Sequence, residues 1–329
     1  MKRLRFLGVA LLVFAVLVSG CIGNGTTQTV TQQVKTTETV TETIAPTHYP
    51  LTVKDFADRE VKIEKKPQRI VSLAPSVTET LYFLGALDSV VGVTKFDDYP
   101  PGVQGGREII GGFSDPNIEV IASLQPDLII GTSMHLKYLD QLEAIAPVII
   151  LDPKNMEEVY RAVQLLGDVL DEKGKAEGVV EFMKAEVEGV KFRVANATRP
   201  KVFFISWWNP IYTPGKNTFQ GDLIELAGGE NIFSDLNGWA QVSMEDVLAR
   251  NPDVIILSAH SGITPEEVCK SELANTNAVK NGRIYVVSDD NAISRPGPRL
   301  VDALKELSYF IHPEAYGYSF QPVSCPVEG

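Results

Sequence analysis

The chain is poor in the residues on which enzymes and metal centres rely. It has four histidines, His48, His135, His260 and His312, and three cysteines, Cys21, Cys269 and Cys325. The histidines are scattered without metal-ligand spacing, and no G-x-S-x-G elbow, P-loop or G-x-G-x-x-G occurs, so neither a catalytic residue nor a metal ligand is predicted. Positive charge is also short. Thirty Lys and Arg against 42 Asp and Glu give a formal net charge of -12, which argues against a nucleic-acid partner, because phosphate neutralisation needs clustered cations. After Val18 no apolar run is long enough to span a membrane.

What is there begins at the N-terminus. Lys2, Arg3 and Arg5 precede the apolar stretch Phe6 to Val18, which is too short to cross a hydrocarbon core of about 30 Å, so residues 1–20 read as a signal peptide. Leu17-Val-Ser-Gly-Cys21 resembles a lipobox, in which the thiol is acylated and Cys21 becomes the new N-terminus; the alternative is an ordinary cysteine after a signal. The signal peptide makes the protein extracytoplasmic, and the acyl chains are expected to tether it to the outer face of the cytoplasmic membrane. Residues 21–48, mostly Thr, Gln, Val and Glu, offer too little apolar area to offset ordering entropy and read as a flexible stalk. With Cys21 acylated, Cys269 and Cys325 remain as an even pair in an oxidising compartment, and a disulfide pinning the C-terminal tail is predicted.

From Tyr49 onward the chain exceeds the roughly 250 residues at which single cores stop growing, so two lobes are expected. Short apolar runs alternate with helical patterns: strands at Arg69–Ala74, Val90–Val93, Asp127–Ile130 and Val148–Leu151, helices at Thr80–Leu84, Ile118–Leu124 and Tyr138–Ile145. That alternation predicts βα units and a mainly parallel sheet. Two long helices, Met156–Leu170 and Lys173–Val194, interrupt the pattern. A second series follows, with strands at Lys201–Ser206, Asp253–Leu257 and Arg283–Val287 and helices at Asp222–Ala227, Met244–Ala249 and Arg299–Phe310. The predicted fold is α/β: two similar Rossmann-like lobes, residues 49–155 and 199–329, joined through a helical linker at 156–198, with a ligand cleft between them. Leu124-Gln-Pro-Asp-Leu-Ile-Ile130 echoes Ala249-Arg-Asn-Pro-Asp-Val-Ile-Ile256, either as a repeat or as a common helix-to-strand connection.

Ser76-x-x-Glu79 and Ser243-x-x-Asp246 read as capping boxes opening helices. Glu245 is spare in the second box and should face solvent; Glu79 is either the reciprocal cap or an exposed carboxylate. One carboxylate per lobe offers a docking site for a basic partner. Aromatics follow strands or Gly-rich turns at Phe96, Tyr99, Phe113, Trp207, Trp208 and Trp239, where they are either core or the walls of a cleft suited to a large planar ligand.

Arg69-Ile-Val-Ser-Leu-Ala-Pro-Ser-Val-Thr-Glu79, Gly92-Val-Thr-Lys-Phe-Asp-Asp-Tyr-Pro-Pro101, Leu124–Ile130, Gly228-Gly-Glu-Asn-Ile-Phe233 and Trp239-Ala-Gln-Val-Ser-Met-Glu245 resemble the substrate-binding proteins of vitamin B12 and iron-siderophore ABC importers. The resemblance covers nearly all of Leu51 to Pro313. Asp97–Pro101, Thr213-Pro-Gly-Lys216 and the Trp239 segment are most similar to the cobalamin-binding branch. It implies limited hinge motion and a transported corrinoid, with a ferric siderophore or haem as the alternative, and no resident cofactor. It implies that Phe96, Tyr99 and Phe113 face the ligand from the first lobe and Trp239 from the second. Asp289, Asp290 and Asn291 then reach polar groups on the corrin periphery. Trp207-Trp208 has no clear counterpart in the family, and Phe113 stands where the cobalamin branch often has tryptophan. Arg295 and Arg299 meet anionic groups of a chelate, or Arg299 serves as a cap or surface ion pair. Glu79 and Glu245 match lobe-tip glutamates that pair with arginines of the permease dimer, which works with its ATPase subunits; the binding protein itself is expected to be a monomer. An enzyme or electron carrier on the same two-lobe fold is the competing class, and it would need cysteine-ligated clusters for which Cys269 and Cys325 are too few.

Overall fold

The computed structural model describes residues 49–318 and Cys325; the predicted signal peptide, Cys21 and stalk lie outside the described residues. The described chain opens with an antiparallel pair, β1 (Leu51–Lys54) and β2 (Glu60–Ile63). Next come β3 (Ile70–Ser72), α1 (Pro75–Phe83), β4 (Val90–Val93), β5 (Glu108–Ile109), α2 (Ile118–Ser123), β6 (Leu128–Gly131), α3 (Leu139–Glu143) and β7 (Val148–Ile150). These strands form a sheet in the order β5-β4-β3-β6-β7 with every ladder parallel.

The short apolar runs produce that sheet because both of its faces are covered. Successive residues alternate between two cores: Ile70, Leu128 and Ile130 join one, while Val71, Leu73 and Ile129 join the other with Ile121 and Leu142. Two helices then cross out of the lobe, α4 (Met156–Val169) and α5 (Lys173–Val194). Asn155 caps α4 by accepting the Glu158 N–H at 2.9 Å. Ala176, Val180, Met183, Val187, Val190 and Val194 make one buried stripe along α5.

The second lobe runs β8 (Lys201–Ile205), β9 (Tyr212–Pro214), α6 (Phe219–Leu226), β10 (Glu230–Asn231), β11 (Trp239–Gln241), α7 (Met244–Arg250), β12 (Val254–Leu257), α8 (Pro265–Lys270), α9 (Asn277–Lys280), β13 (Ile284–Val286), α10 (Asp290–Ser294) and α11 (Leu300–Ile311). Its main sheet is parallel throughout, in the order β10-β8-β12-β13, and β9 and β11 pair antiparallel beside it. One continuous core includes Ile70 and Leu128 of the first sheet, the stripes of α4 and α5, and Phe204 and Ile256 of the second. Phe203, Ile205, Ile255 and Leu257 pack on the opposite face, in a core that Cys269 and Cys325 border. Those two cysteines are disulfide-bonded, with Cα atoms 5.5 Å apart.

The echo between the lobes has a physical role. Each Pro-Asp aspartate ties the start of the neighbouring central strand: Asp127 accepts the Arg69 N–H at 2.8 Å and Asp253 accepts the Lys201 N–H at 3.0 Å. Two predicted details change. Helix α1 begins two residues earlier than the capping box implies, with Pro75 at its first position and Ala74 as an N-cap that makes no side-chain bond, so Ser76 and Glu79 form no capping box. The β1–β2 hairpin and the β9–β11 pair were not predicted; their strands are short and partly exposed, so no continuous apolar run marks them.

A cavity between the lobes and its two aromatic rims

The carboxyl ends of the parallel strands converge on one cleft. A cavity of about 700 Å³ has Ser206, Trp207, Gln220, Trp239, Ser258 and Asp290 among its walls. A second, of about 470 Å³, is bounded by Ala74, Phe96, Phe113, Thr132, Asn291 and Arg295, and the two share Asp152, Ser294 and Pro296.

Of the aromatics singled out from the sequence, Phe96, Phe113, Trp207 and Trp239 line these cavities. Phe96, Trp207 and Trp239 are each close to half exposed (51, 50 and 47%), and the Lys95 ammonium lies 5.1 Å from the Phe96 ring centroid. Tyr99 and Trp208 do not line either cavity. Tyr99 stacks on Phe83 at 6.3 Å and lies under the Arg299 guanidinium at 4.2 Å. Trp208 follows Trp207 directly and packs instead on the second-lobe core with Phe203 and Leu257.

The loop that carries Phe96 is fixed by a buried acid. Asp97 accepts the Thr94 N–H at 2.8 Å and the Thr94 hydroxyl at 2.6 Å, and burial pushes its carboxyl up. Phe113 is held by His135, which is fully buried. The His135 Nδ1 accepts the Thr132 N–H at 2.9 Å, which leaves Nε2 to donate to the Phe113 carbonyl at 2.8 Å. Both bonds require the neutral ring in one tautomer, and burial lowers its pKa in the same sense. Asp290 also lines the cavity but is engaged with the Ser258 hydroxyl (2.9 Å), the Ala259 N–H (3.1 Å) and His260 Nδ1 (2.6 Å).

Glu79 is not at a lobe surface. It is fully buried, and its Oε1 accepts from Arg295 at 2.7 Å and Arg299 at 3.2 Å, while its Oε2 has no partner. Arg295 also meets Asp98 at 2.5 Å and Arg299 meets Asp289, and the Asn291 amide reaches Asp98 at 2.8 Å. Burial lifts the Glu79 carboxyl above the usual range against the pull of both arginines. The cluster ties α1 and the Phe96–Tyr99 loop to the segment before α11, and it rules out Glu79 as an exposed docking group.

Glu245 is exposed at the second position of α7, behind the Ser243 cap, which accepts the Asp246 N–H at 3.1 Å. The first lobe has the same arrangement. Asn117 caps α2 by accepting the Val120 N–H at 3.0 Å, and Glu119 follows, exposed. Phe113 precedes Glu119 by six residues, as Trp239 precedes Glu245. Each lobe therefore carries a cavity aromatic and an exposed carboxylate on one segment. Sequence reasoning missed Glu119, although continuing the Pro-Asp echo toward the N-terminus would have found it.

A family model described as periplasmic binding protein matches residues 70–290. The chain belongs to the periplasmic binding protein family. It is 32% identical over 327 residues to the uncharacterized ABC transporter substrate-binding lipoprotein YvrC of Bacillus subtilis, covering 96% of this chain and 99% of that one. It is 30% identical over 253 residues to the vitamin B12-binding protein of Pectobacterium atrosepticum, 73% of this chain and 87% of that one. A crystal structure described as a possible iron-binding, periplasmic solute-binding protein from Staphylococcus epidermidis superposes with a TM-score of 0.69 at 34% identity, covering 75% of this chain and all of that one (100%). A two-lobe α/β architecture with its ligand cleft between lobes is thus the family's fold.

Proposed function

We propose that the protein is the extracytoplasmic solute-binding lipoprotein of an ABC importer, that it takes cobalamin or a related corrinoid into the interlobe cavity, and that it delivers the ligand to a permease. The observation that supports this most is the set of aromatic walls, Phe96 and Phe113 from one lobe and Trp207 and Trp239 from the other, whose rings suit a broad planar ligand. The similarity to a vitamin B12-binding protein points the same way. The function is binding without chemistry. Residues 49–155 and 199–329 act as the lobes and 156–198 as the linker, while acylated Cys21 holds the protein near its transporter and raises its effective concentration there. Glu119 and Glu245, one on each rim, pair with basic side chains of the permease dimer; they replace the Glu79 and Glu245 pair expected from sequence.

A ferric siderophore or haem is the second reading, favoured by the similarity to the structure described as a possible iron-binding protein. Separate titrations of cyanocobalamin, haem and ferric siderophores, followed by heat and by visible spectrum, test the two. Saturable binding of cyanocobalamin alone supports the corrinoid reading; saturable binding of an iron chelate or haem alone replaces it.

A further inference from the structure

The second-lobe wall carries two buried polar atoms that no group among the described residues satisfies. Gln220 is 4% exposed, lines the larger cavity, and its Oε1 has no hydrogen-bond partner; the Ser206 hydroxyl on the same wall has none either. A buried acceptor left unpaired costs on the order of 1–3 kcal/mol, so such atoms mark a place where something else supplies the bond. The backbone turn that carries Gln220 is also well defined. Thr218 caps α6 by accepting the Gly221 N–H at 3.1 Å and donates to the Gly215 carbonyl at 2.7 Å. A Cβ on Gly221 would lie 2.3 Å from that carbonyl, so the turn admits only glycine there.

The charged groups facing the cavities are otherwise committed. Among the described lining residues, Lys154 pairs with Asp152 at 2.7 Å, His260 with Asp290 at 2.6 Å, and Arg295 with Glu79 and Asp98. A ligand rimmed by carboxylates would have to break one of these pairs. A ligand rimmed by neutral amides would not, and its N–H groups match the open acceptors. We infer that Gln220, with Ser206, is a specificity-determining contact for carboxamide N–H groups on the ligand edge, and that the cavity selects an amide-rimmed macrocycle over a carboxylate-rimmed one. The inference rests on the corrinoid reading and adds to it the residue that distinguishes the ligand's periphery.

The test compares the intact protein with Gln220→Leu and Gln220→Glu, each first checked for an unchanged thermal unfolding transition. The probes are cyanocobalamin, its monocarboxylate derivatives in which one peripheral amide is hydrolysed, and haem. Gln220→Leu is expected to weaken cyanocobalamin binding about tenfold. Gln220→Glu, which keeps an acceptor, should recover affinity relative to Gln220→Leu. One monocarboxylate should bind the wild type about tenfold more weakly than cyanocobalamin yet lose nothing further in Gln220→Leu. Cyanocobalamin binding that is unchanged in Gln220→Leu overturns this inference and leaves the corrinoid reading standing. Haem bound more tightly than cyanocobalamin, or no binding of either, overturns both.

Discussion

The two rims of the cleft are built alike and finished differently. Phe113 to Glu119 and Trp239 to Glu245 share an aromatic, a polar cap and an exposed glutamate at the same spacing, and each leads through a short helix to a Pro-Asp turn and a central strand. Behind the aromatic the resemblance stops. Phe113 is backed by a buried neutral histidine and packs on the core, whereas Trp239 lies on β11 of the partly exposed β9–β11 pair. The second lobe is closed by a disulfide, and none joins first-lobe residues among those described. The exposed glutamate proposed to meet the permease is repeated in both lobes; the surroundings of the aromatic proposed to meet the ligand have diverged.

The largest way to break the comparison is to remove the covalent closure. Reducing Cys269–Cys325, which are 56 residues apart in sequence, should cost about 4 kcal/mol by loop entropy. Denaturant unfolding with hydrogen exchange should show the loss concentrated in β12, β13 and α8, and uniform loss across both lobes would contradict it.

His135→Ala should cost about 3 kcal/mol, since it leaves a void and unpairs the Thr132 N–H and the Phe113 carbonyl. The pH dependence has a definite sign. Burial depresses the His135 pKa, so the folded state resists a proton that the unfolded chain accepts near 6.5; its contribution is complete above 6.5 and is lost as pH falls through the lowered folded value. Unfolding transitions measured against pH should show that acid loss in the wild type and not in His135→Ala.

Trp239→Ala should weaken ligand binding roughly thirtyfold, an effect of about 2 kcal/mol, with little change in stability because the ring is nearly half exposed. Phe113→Ala should do the reverse in proportion, losing more stability and less affinity. Titration calorimetry paired with thermal unfolding separates the two, and equal effects at both sites would erase the distinction. Smallest in the isolated protein are Glu119→Ala and Glu245→Ala, which should change neither stability nor ligand affinity by more than about 0.5 kcal/mol. Uptake in vesicles carrying the transporter should fall with each and most in the double variant; unchanged uptake would remove the rim carboxylates from docking.

Much of this was legible locally. Fully buried strands such as Leu128–Gly131 and Val254–Leu257 announce themselves as apolar runs, and α5 matches its predicted limits because its stripe and its lack of proline are read from neighbours. The failures share another cause. Glu79 sits in what looks like a capping box, but Pro75 takes the first helical position and the arginine that holds Glu79 lies 216 residues away. Tyr99 and Trp208 occupy strand-end positions as suggestive as those of Phe96 and Trp207. Which of each pair turns toward the cleft depends on tertiary packing that no local pattern records.

The most direct test of the account is a crystal structure of the protein with cyanocobalamin. It predicts the corrin ring held between Phe113 and Trp239, with Gln220 and Ser206 within hydrogen-bond distance of peripheral amides. A ring bound outside this cleft, or one whose faces meet neither aromatic, would contradict it.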